Sequence, residues 1–343
     1  MCISLLGCKD SGSDTSGTEN LEPSLRNSSP YPFGAAIQIK HLNDVNYVNL
    51  LREEFNSITG EYQMKMSPMY NNPSAINFND SDTFVEFAEQ TGGRVHGHAL
   101  LWHSSTPAWI ENFSGSDAEF ETLIENYIKD VVGRYKGRIA SWDVVNEAIE
   151  DGNGNALRNS VFYQKLGPDY IAKAFRWARE ADPDVKLFYN DYNMAANGDK
   201  FNAMLALVDD LIANDVPIDG VGFQMHISTD WPSQANIEAS SSQVVARGLL
   251  LHYSELDVKV NSDKSATSFT PELAETQKQR IKTIVDFYNS IPEELQFGIT
   301  MWGVKDDDSW LRSFLDNENE WPLLFDENFN AKPAYDGILE LFE

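Results

Sequence analysis

From Tyr31 to the C-terminus, short apolar runs of strand character alternate with helical patterns, and this alternation restricts the folds open to the chain more than any other feature. The runs are Phe33–Ile39, Phe55–Thr59, Arg94–Trp102, Ile139–Val145, Val185–Asn190, Gly220–His226, Gly248–Ser254 and Phe297–Trp302. The intervening helices have recognisable ends. Asn43 or Asp44 caps one running through Glu54, Asp80 or Ser81 starts one that stops at Gly92-Gly93, and Ser116 opens one reaching Tyr135. Further helices are expected over Asp169–Ala181, Asp199–Asn214 and Ser233–Ala246, then from Thr270-Pro271 to about Ser290 and from Pro333 onward. Eight strand–helix units in about 310 residues predict a single α/β domain, a (β/α)8 TIM barrel over residues 31–343. An open doubly wound sheet is the alternative, but no glycine-rich phosphate turn follows the first run.

Charge narrows the partners. The chain has 53 acidic against 26 basic residues, a net charge of −27. Phosphate neutralisation needs Lys and Arg, so this balance argues against nucleic acid as a partner, and against an anionic membrane surface. No run of eighteen apolar residues spans a membrane. The only cysteines are Cys2 and Cys8, so the barrel has neither disulfide nor thiol chemistry. Leu5-Leu6-Gly7-Cys8 resembles a bacterial lipoprotein cleavage box. On that reading residues 1–8 are a possible truncated signal, Cys8 is lipidated, and residues 9–30, rich in Ser, Gly and acids, are a flexible tether placing the barrel at the cell surface. Nothing suggests a dedicated oligomer interface, so a monomer is expected.

Two carboxylates stand out. Glu147 and Glu255 each follow an apolar strand-like run, where a charge is costly unless it has a task. Two carboxylates facing one cleft suit glycosidic cleavage. The C-terminal strand ends, where barrels of this type assemble their sites, carry further polar and aromatic groups. These include His98, Trp102, Asn146, Tyr192, Gln224, His226, Asp257, Trp302 and Trp310.

The runs Gly97-His98-Ala99-Leu100-Leu101-Trp102-His103, Trp142-Asp143-Val144-Val145-Asn146-Glu147-Ala148, Tyr189-Asn190-Asp191-Tyr192-Asn193, Gly222-Phe223-Gln224-Met225-His226, Ser254-Glu255-Leu256-Asp257 and Met301-Trp302-Gly303-Val304 resemble glycoside hydrolase family 10. That family comprises retaining endo-β-1,4-xylanases on a (β/α)8 barrel, and the resemblance covers Tyr31 to Glu343. It implies Glu147 as acid/base and Glu255 as nucleophile, acting on xylan or xylo-oligosaccharides with no cofactor and no metal. It also implies that Asn146 binds the sugar 2-hydroxyl and that His226 orients Glu255, with Asp257 behind it. Gln224 would lie near the catalytic centre, and His98 and Trp102 in the neighbouring sugar subsite. Trp302 and Trp310 would floor and wall the cleft, Tyr192 would contribute from the fifth strand, and Glu61 and Lys65 would contact sugar hydroxyls.

One stretch departs from the family pattern: Tyr62 replaces the usual Asn and Met66 the usual aromatic or Pro. Tyr62 narrows the cleft, adds a stacking face, or points away. Three other readings stay open. A β-1,4-glucan or mixed-linkage xylan is a possible substrate within the same chemistry. A catalytically silent glycan-binding lipoprotein is a second reading. A metal-dependent hydrolase is the third, because His96 and His98 share a strand face at the i, i+2 spacing of zinc ligands.

Overall fold

The computed structural model describes residues 23–152, 154 and 156–343. Eight parallel strands form the barrel: β1 Phe33–Ile37, β2 Ser57–Gly60, β3 Arg94–Gly97, β4 Ser141–Asn146, β5 Lys186–Asp191, β6 Gly220–Phe223, β7 Leu250–Lys259 and β8 Gln296–Met301. They pair in sequence order, and β8 bonds both β7 and β1, closing the sheet. The barrel helices are α1 Val45–Glu54, α2 Asn79–Thr91, α3 Asp117–Arg134, α4 Tyr170–Ala181, α5 Asp199–Ala213, α6 Gln234–Val245, α7 Pro271–Asn289 and α8 Pro333–Leu339.

Local chemistry explains the helix starts. Asp44 accepts from the N–H groups of Asn46 and Tyr47, Ser116 and Glu119 form a capping box, and Thr270 caps α7 ahead of Pro271. Helix α3 buries Phe120, Ile124, Tyr127, Ile128 and Val131, a stripe at helical spacing that lies against the sheet. The barrel axis is filled rather than open: the rings of His96, Phe188, His252 and Phe297 pack with centroids 4.5–6.1 Å apart.

Several expectations need correction. The seventh strand does not stop at Ser254 but runs to Lys259, because Glu255 and Asp257 are buried within it and find a cationic partner. The third run is interrupted after Gly97. Leu101–Trp102 then returns to pair with β4, at Val145 and Asn146. The sixth run also breaks, at Met225, whose left-handed φ of 57° separates β6 from a short strand His226–Ser228 lying along β7. Helix α2 begins at Asn79, ahead of the expected Asp80 or Ser81. One-turn helices at Met66–Met69 and Ala108–Glu111 and two-turn helices at Val161–Leu166 and Trp310–Leu315 are too short to leave a periodic signal.

The boundary at residue 31 also moves. Leu25–Ser28 form a helical turn against the barrel, with Leu25 buried and Arg26 donating to the carbonyls of Phe55 and Thr91. Cys8, the cleavage box and the rest of residues 1–22 lie outside the described residues. Among the described residues no helix is long and apolar enough to cross a membrane.

Candidate active site

A cavity of 580 Å³ opens at the C-terminal ends of the strands. Glu61, Lys65, His98, Trp102, Asn146, Glu147, Tyr192, Gln224, His226, Glu255, Trp302 and Trp310 all line it. Every lining residue expected from the sequence is therefore brought together, and Asp257 lies directly behind, fully buried. A wider surface groove beside α6 and α7, running from Gln234 to Thr283, holds none of these side chains.

One hydrogen-bond chain joins the two glutamates. Gln224 Nε2 donates to Glu147 Oε1 at 3.0 Å and to Asn146 Oδ1 at 3.3 Å. Asn190 Nδ2 donates to the same Asn146 Oδ1 at 3.0 Å and to Glu255 Oε1 at 2.8 Å. The Asn190 carboxamide is itself fixed, because its Oδ1 accepts from Ser254 Oγ at 2.6 Å. Room for it exists only because residue 222 is glycine: a Cβ there would stand 2.2 Å from Asn190 Oδ1. Asn190 belongs to the motif read in the sequence, but its grip on Glu255 is visible only in the fold.

Charge around Glu255 is arranged to keep it ionised. His226 lies between two carboxylates, Nδ1 2.9 Å from Asp257 Oδ2 and Nε2 3.2 Å from Glu255 Oε2. Burial lowers the pKa of this imidazole, but Asp257 foremost, with Glu255, pushes it up to about 10. Burial also raises the Glu255 carboxyl. The bond from His226 and the nearby charges of His98, His226 and Lys65 outweigh it, leaving Glu255 below the usual carboxylate range. Asp257 is anchored in turn by Trp310, whose Nε1 donates to Oδ2 at 2.9 Å, and the Trp310 ring packs edge-on to His226 at 5.0 Å.

Glu147 stands just past the end of β4 with a φ of 56°, a left-handed conformation that costs an ordinary residue about 1–3 kcal/mol. Its N–H donates to the carbonyl of Asn190, and its own carbonyl accepts from Arg158 Nε at 3.1 Å. The turn swings the carboxylate out of the strand direction and into the cavity. Arg158 also donates to the Tyr192 hydroxyl, and the ammonium of Lys200 sits 3.2 Å from the Tyr192 ring centroid.

On the other side, the Lys65 ammonium lies over the Trp102 ring, 4.5 Å from its centroid. Burial lowers its pKa, while Glu255, Glu61 and Glu147 act in the opposite direction. Tyr62 is 52% exposed and is not among the lining residues, and Met66 is buried in the core, so the departure from the family pattern lies beside the cavity rather than in it.

His96 and His98 do share a face, but what they share is Asp143. His96 Nε2 and His98 Nδ1 lie 2.9 and 2.8 Å from Asp143 Oδ2, and His96 Nδ1 lies 2.6 Å from Ser141 Oγ. Burial raises the Asp143 carboxyl, but the two imidazoles, His96 first, overcome this and hold it far below the usual range. His96 is thus held inside the barrel by Ser141 and the Asp143 charge and does not reach the cavity. Among the described residues no cluster of three metal-ligating side chains occurs.

Four lining residues were not anticipated: Asn193, Trp231, Lys259 and Phe314. For Lys259 the signal was present. It continues the alternation Glu255, Asp257, Lys259 along one face of β7, and stopping the strand at Ser254 hid it.

A family model described as Glycosyl hydrolase family 10 matches residues 21–341. An endo-1,4-beta-xylanase A of Cellvibrio japonicus is 42% identical over 92% of this chain, which covers 56% of that protein. The chain thus spans little more than half the length of this curated relative. A beta-1,4-xylanase of Dictyoglomus thermophilum is 37% identical over 91% of this chain and 89% of its own length. Among solved structures, a mutant of xylanase 10C from Cellvibrio japonicus in complex with xylopentaose superposes with a TM-score of 0.89 at 37% identity, covering 93% of this chain and 69% of that one.

Proposed function

The chain belongs to glycosyl hydrolase family 10, and from that premise we propose that it is an endo-1,4-β-xylanase that hydrolyses internal β-1,4-xylosidic bonds of xylan with retention of configuration. The observation that carries this reading is the hydrogen-bonded chain Glu147–Gln224–Asn146–Asn190–Glu255, which holds two carboxylates toward one cavity in different surroundings. Glu255 is kept ionised, gripped by Asn190 and His226. It attacks the anomeric carbon while Glu147 gives its proton to the departing glycosidic oxygen. The resulting glycosyl-enzyme is opened by a water whose proton Glu147 takes, so two inversions restore the original configuration. His226 keeps its charge because Asp257 balances it, and so neutralises part of the charge on Glu255 before attack. The aromatic faces of Trp102, Trp302 and Trp310 suit xylose rings, and Asn146, Glu61 and Lys65 suit their hydroxyls.

Viscosity loss on purified β-1,4-xylan beside a soluble β-1,4-glucan tests this reading, with Glu147→Gln and Glu255→Gln as controls. Rapid thinning of xylan, crippled by either substitution, is expected. Preferential cutting of glucan would overturn the substrate, and inactivity of folded protein on both polymers would overturn the activity. We further propose that the enzyme works as a monomer and that it is carried at the cell surface by acylation of Cys8. Fatty-acid labelling that survives Cys8→Ala would sink the anchor, and a dimer mass in light scattering would sink the monomer.

A further inference from the structure

Most of the large hydrophobic side chains in this protein are buried. Of the few that are exposed, two stand at the same cavity: Trp231, 42% exposed, and Phe314, 69% exposed. Each is held from behind. The Trp231 carbonyl accepts from the Ser228 N–H at 2.8 Å and its N–H donates to Ser228 Oγ at 3.1 Å. The Phe314 ring packs 4.8 Å from Trp310, which is fixed by its bond to Asp257. An exposed aromatic on a fixed backbone loses little entropy when a sugar face covers it.

Lys259 lines the same cavity beside the Trp231 segment. It is the register partner of Ser228, and its carbonyl accepts from the Thr229 N–H. Strand alternation places Glu255, Asp257 and Lys259 on one face of β7, so Lys259 sits about 13 Å along the strand from the nucleophile, toward the rim. Three other half-buried or buried lysines near this end of the barrel are paired, Lys200 with Asp191, Lys305 with Asp307 and Lys332 with Asp306, while Lys65 lies over the Trp102 ring. Lys259 has no carboxylate within 4 Å among the described residues, although acids outnumber bases two to one in the chain. A cation left unpaired in so acidic a protein, lining one cavity with two bare aromatic faces, has the chemistry to receive an acidic sugar.

We propose that Lys259, with Trp231 and Phe314, forms a site for the carboxylate and ring face of a uronic acid branch on the polysaccharide. This rests on the xylanase reading and adds to it a preference for acidic, branched xylan. Lys259 is offered as a specificity residue and takes no part in bond cleavage. A net charge of −27 repels an acidic polymer at long range, so the preference must come from contact at short range, where one ammonium dominates.

The test compares kcat/KM on a linear β-1,4-xylo-oligosaccharide, on the same oligosaccharide with one uronic acid branch, and on the methyl ester of that branch. The enzymes are wild type, Lys259→Gln, Lys259→Arg and Phe314→Ala. Lys259→Gln is expected to lose about five- to tenfold on the free acid, chiefly in KM, and less than twofold on the linear substrate and the ester. Lys259→Arg should retain the preference, Phe314→Ala should weaken binding of acid and ester alike, and added salt should erode the advantage of the free acid. Equal loss on all three substrates, or no loss on the acid, would overturn the site while linear cleavage by wild type left the xylanase reading intact. Failure of wild type to cut the linear substrate would instead strike the xylanase reading.

Discussion

Replacing Gly222 by alanine should damage catalysis without touching any group that meets substrate. The new Cβ would stand 2.2 Å from Asn190 Oδ1 and 3.0 Å from its Cγ, too close for either atom to remain. The Asn190 carboxamide must rotate, and it cannot then keep all three of its bonds, from Ser254 Oγ at 2.6 Å, to Glu255 Oε1 at 2.8 Å and to Asn146 Oδ1 at 3.0 Å. The bond to the Glu255 carboxylate is charge-assisted, and its loss costs about 1.5–3 kcal/mol. If the nucleophile needs that support in the transition state, kcat/KM on an aryl xylobioside should fall about 10- to 150-fold. The decisive assay is a double-mutant cycle. In an Asn190→Ala background the offending oxygen is gone and the nearest remaining atom of residue 190 is its Cβ, 3.3 Å away. Adding Gly222→Ala should then cost less than about twofold, because both substitutions act through one group. Fully additive losses would refute the reasoning, since Gly222 would then be acting through something other than Asn190. Wild-type activity in Gly222→Ala alone would show that the clamp is dispensable.

Asp257→Asn tests the charge balance through pH. The pKa of His226 is raised from its ordinary 6.5 to about 10 in the folded protein, so its protonation stabilises the fold fully below about pH 6.5, and that contribution fades as pH rises toward 10. The gap in Tm between wild type and Asp257→Asn should therefore be widest near pH 6 and close toward pH 10; a gap constant with pH would mean that Asp257 acts only through packing and its bond to Trp310. Treatment with EDTA should leave xylan hydrolysis unchanged, because His96 is spent on Ser141 and Asp143 and His98 on Asp143. A loss restored by zinc would reopen the metal-dependent reading.

The barrel was legible because its signals are local and repeated. Caps such as Asp44 and Ser116, and the apolar stripe of α3, depend on neighbours three or four residues away. The lining residues were legible because strand ends converge in this fold, so that motifs far apart in sequence point to one place. The strand containing Glu255 was cut short for the opposite reason. Glu255 and Asp257 read as polar loop until His226, some thirty residues earlier, is seen to compensate their burial. Lys259 was lost with the end of that strand, Trp231 sits in a connection without periodicity, and Phe314 lies in a helix of six residues, too short for a periodic signal.

The order of strands and helices, the capped helix starts and the presence of two glutamates at strand ends were thus determined by the sequence itself, since each rests on short-range pattern or on residue type. Only tertiary structure decided which groups set the chemistry of those glutamates. Asn190 grips Glu255 because Gly222 leaves room for it, His226 stays charged because Asp257 lies behind it, and Glu147 turns into the cavity on a left-handed backbone tied by Asn190 and Arg158. Hydrogen bonds and ion pairs act over about 3 Å, and residues 65 or 78 positions apart come within that range only when the barrel closes.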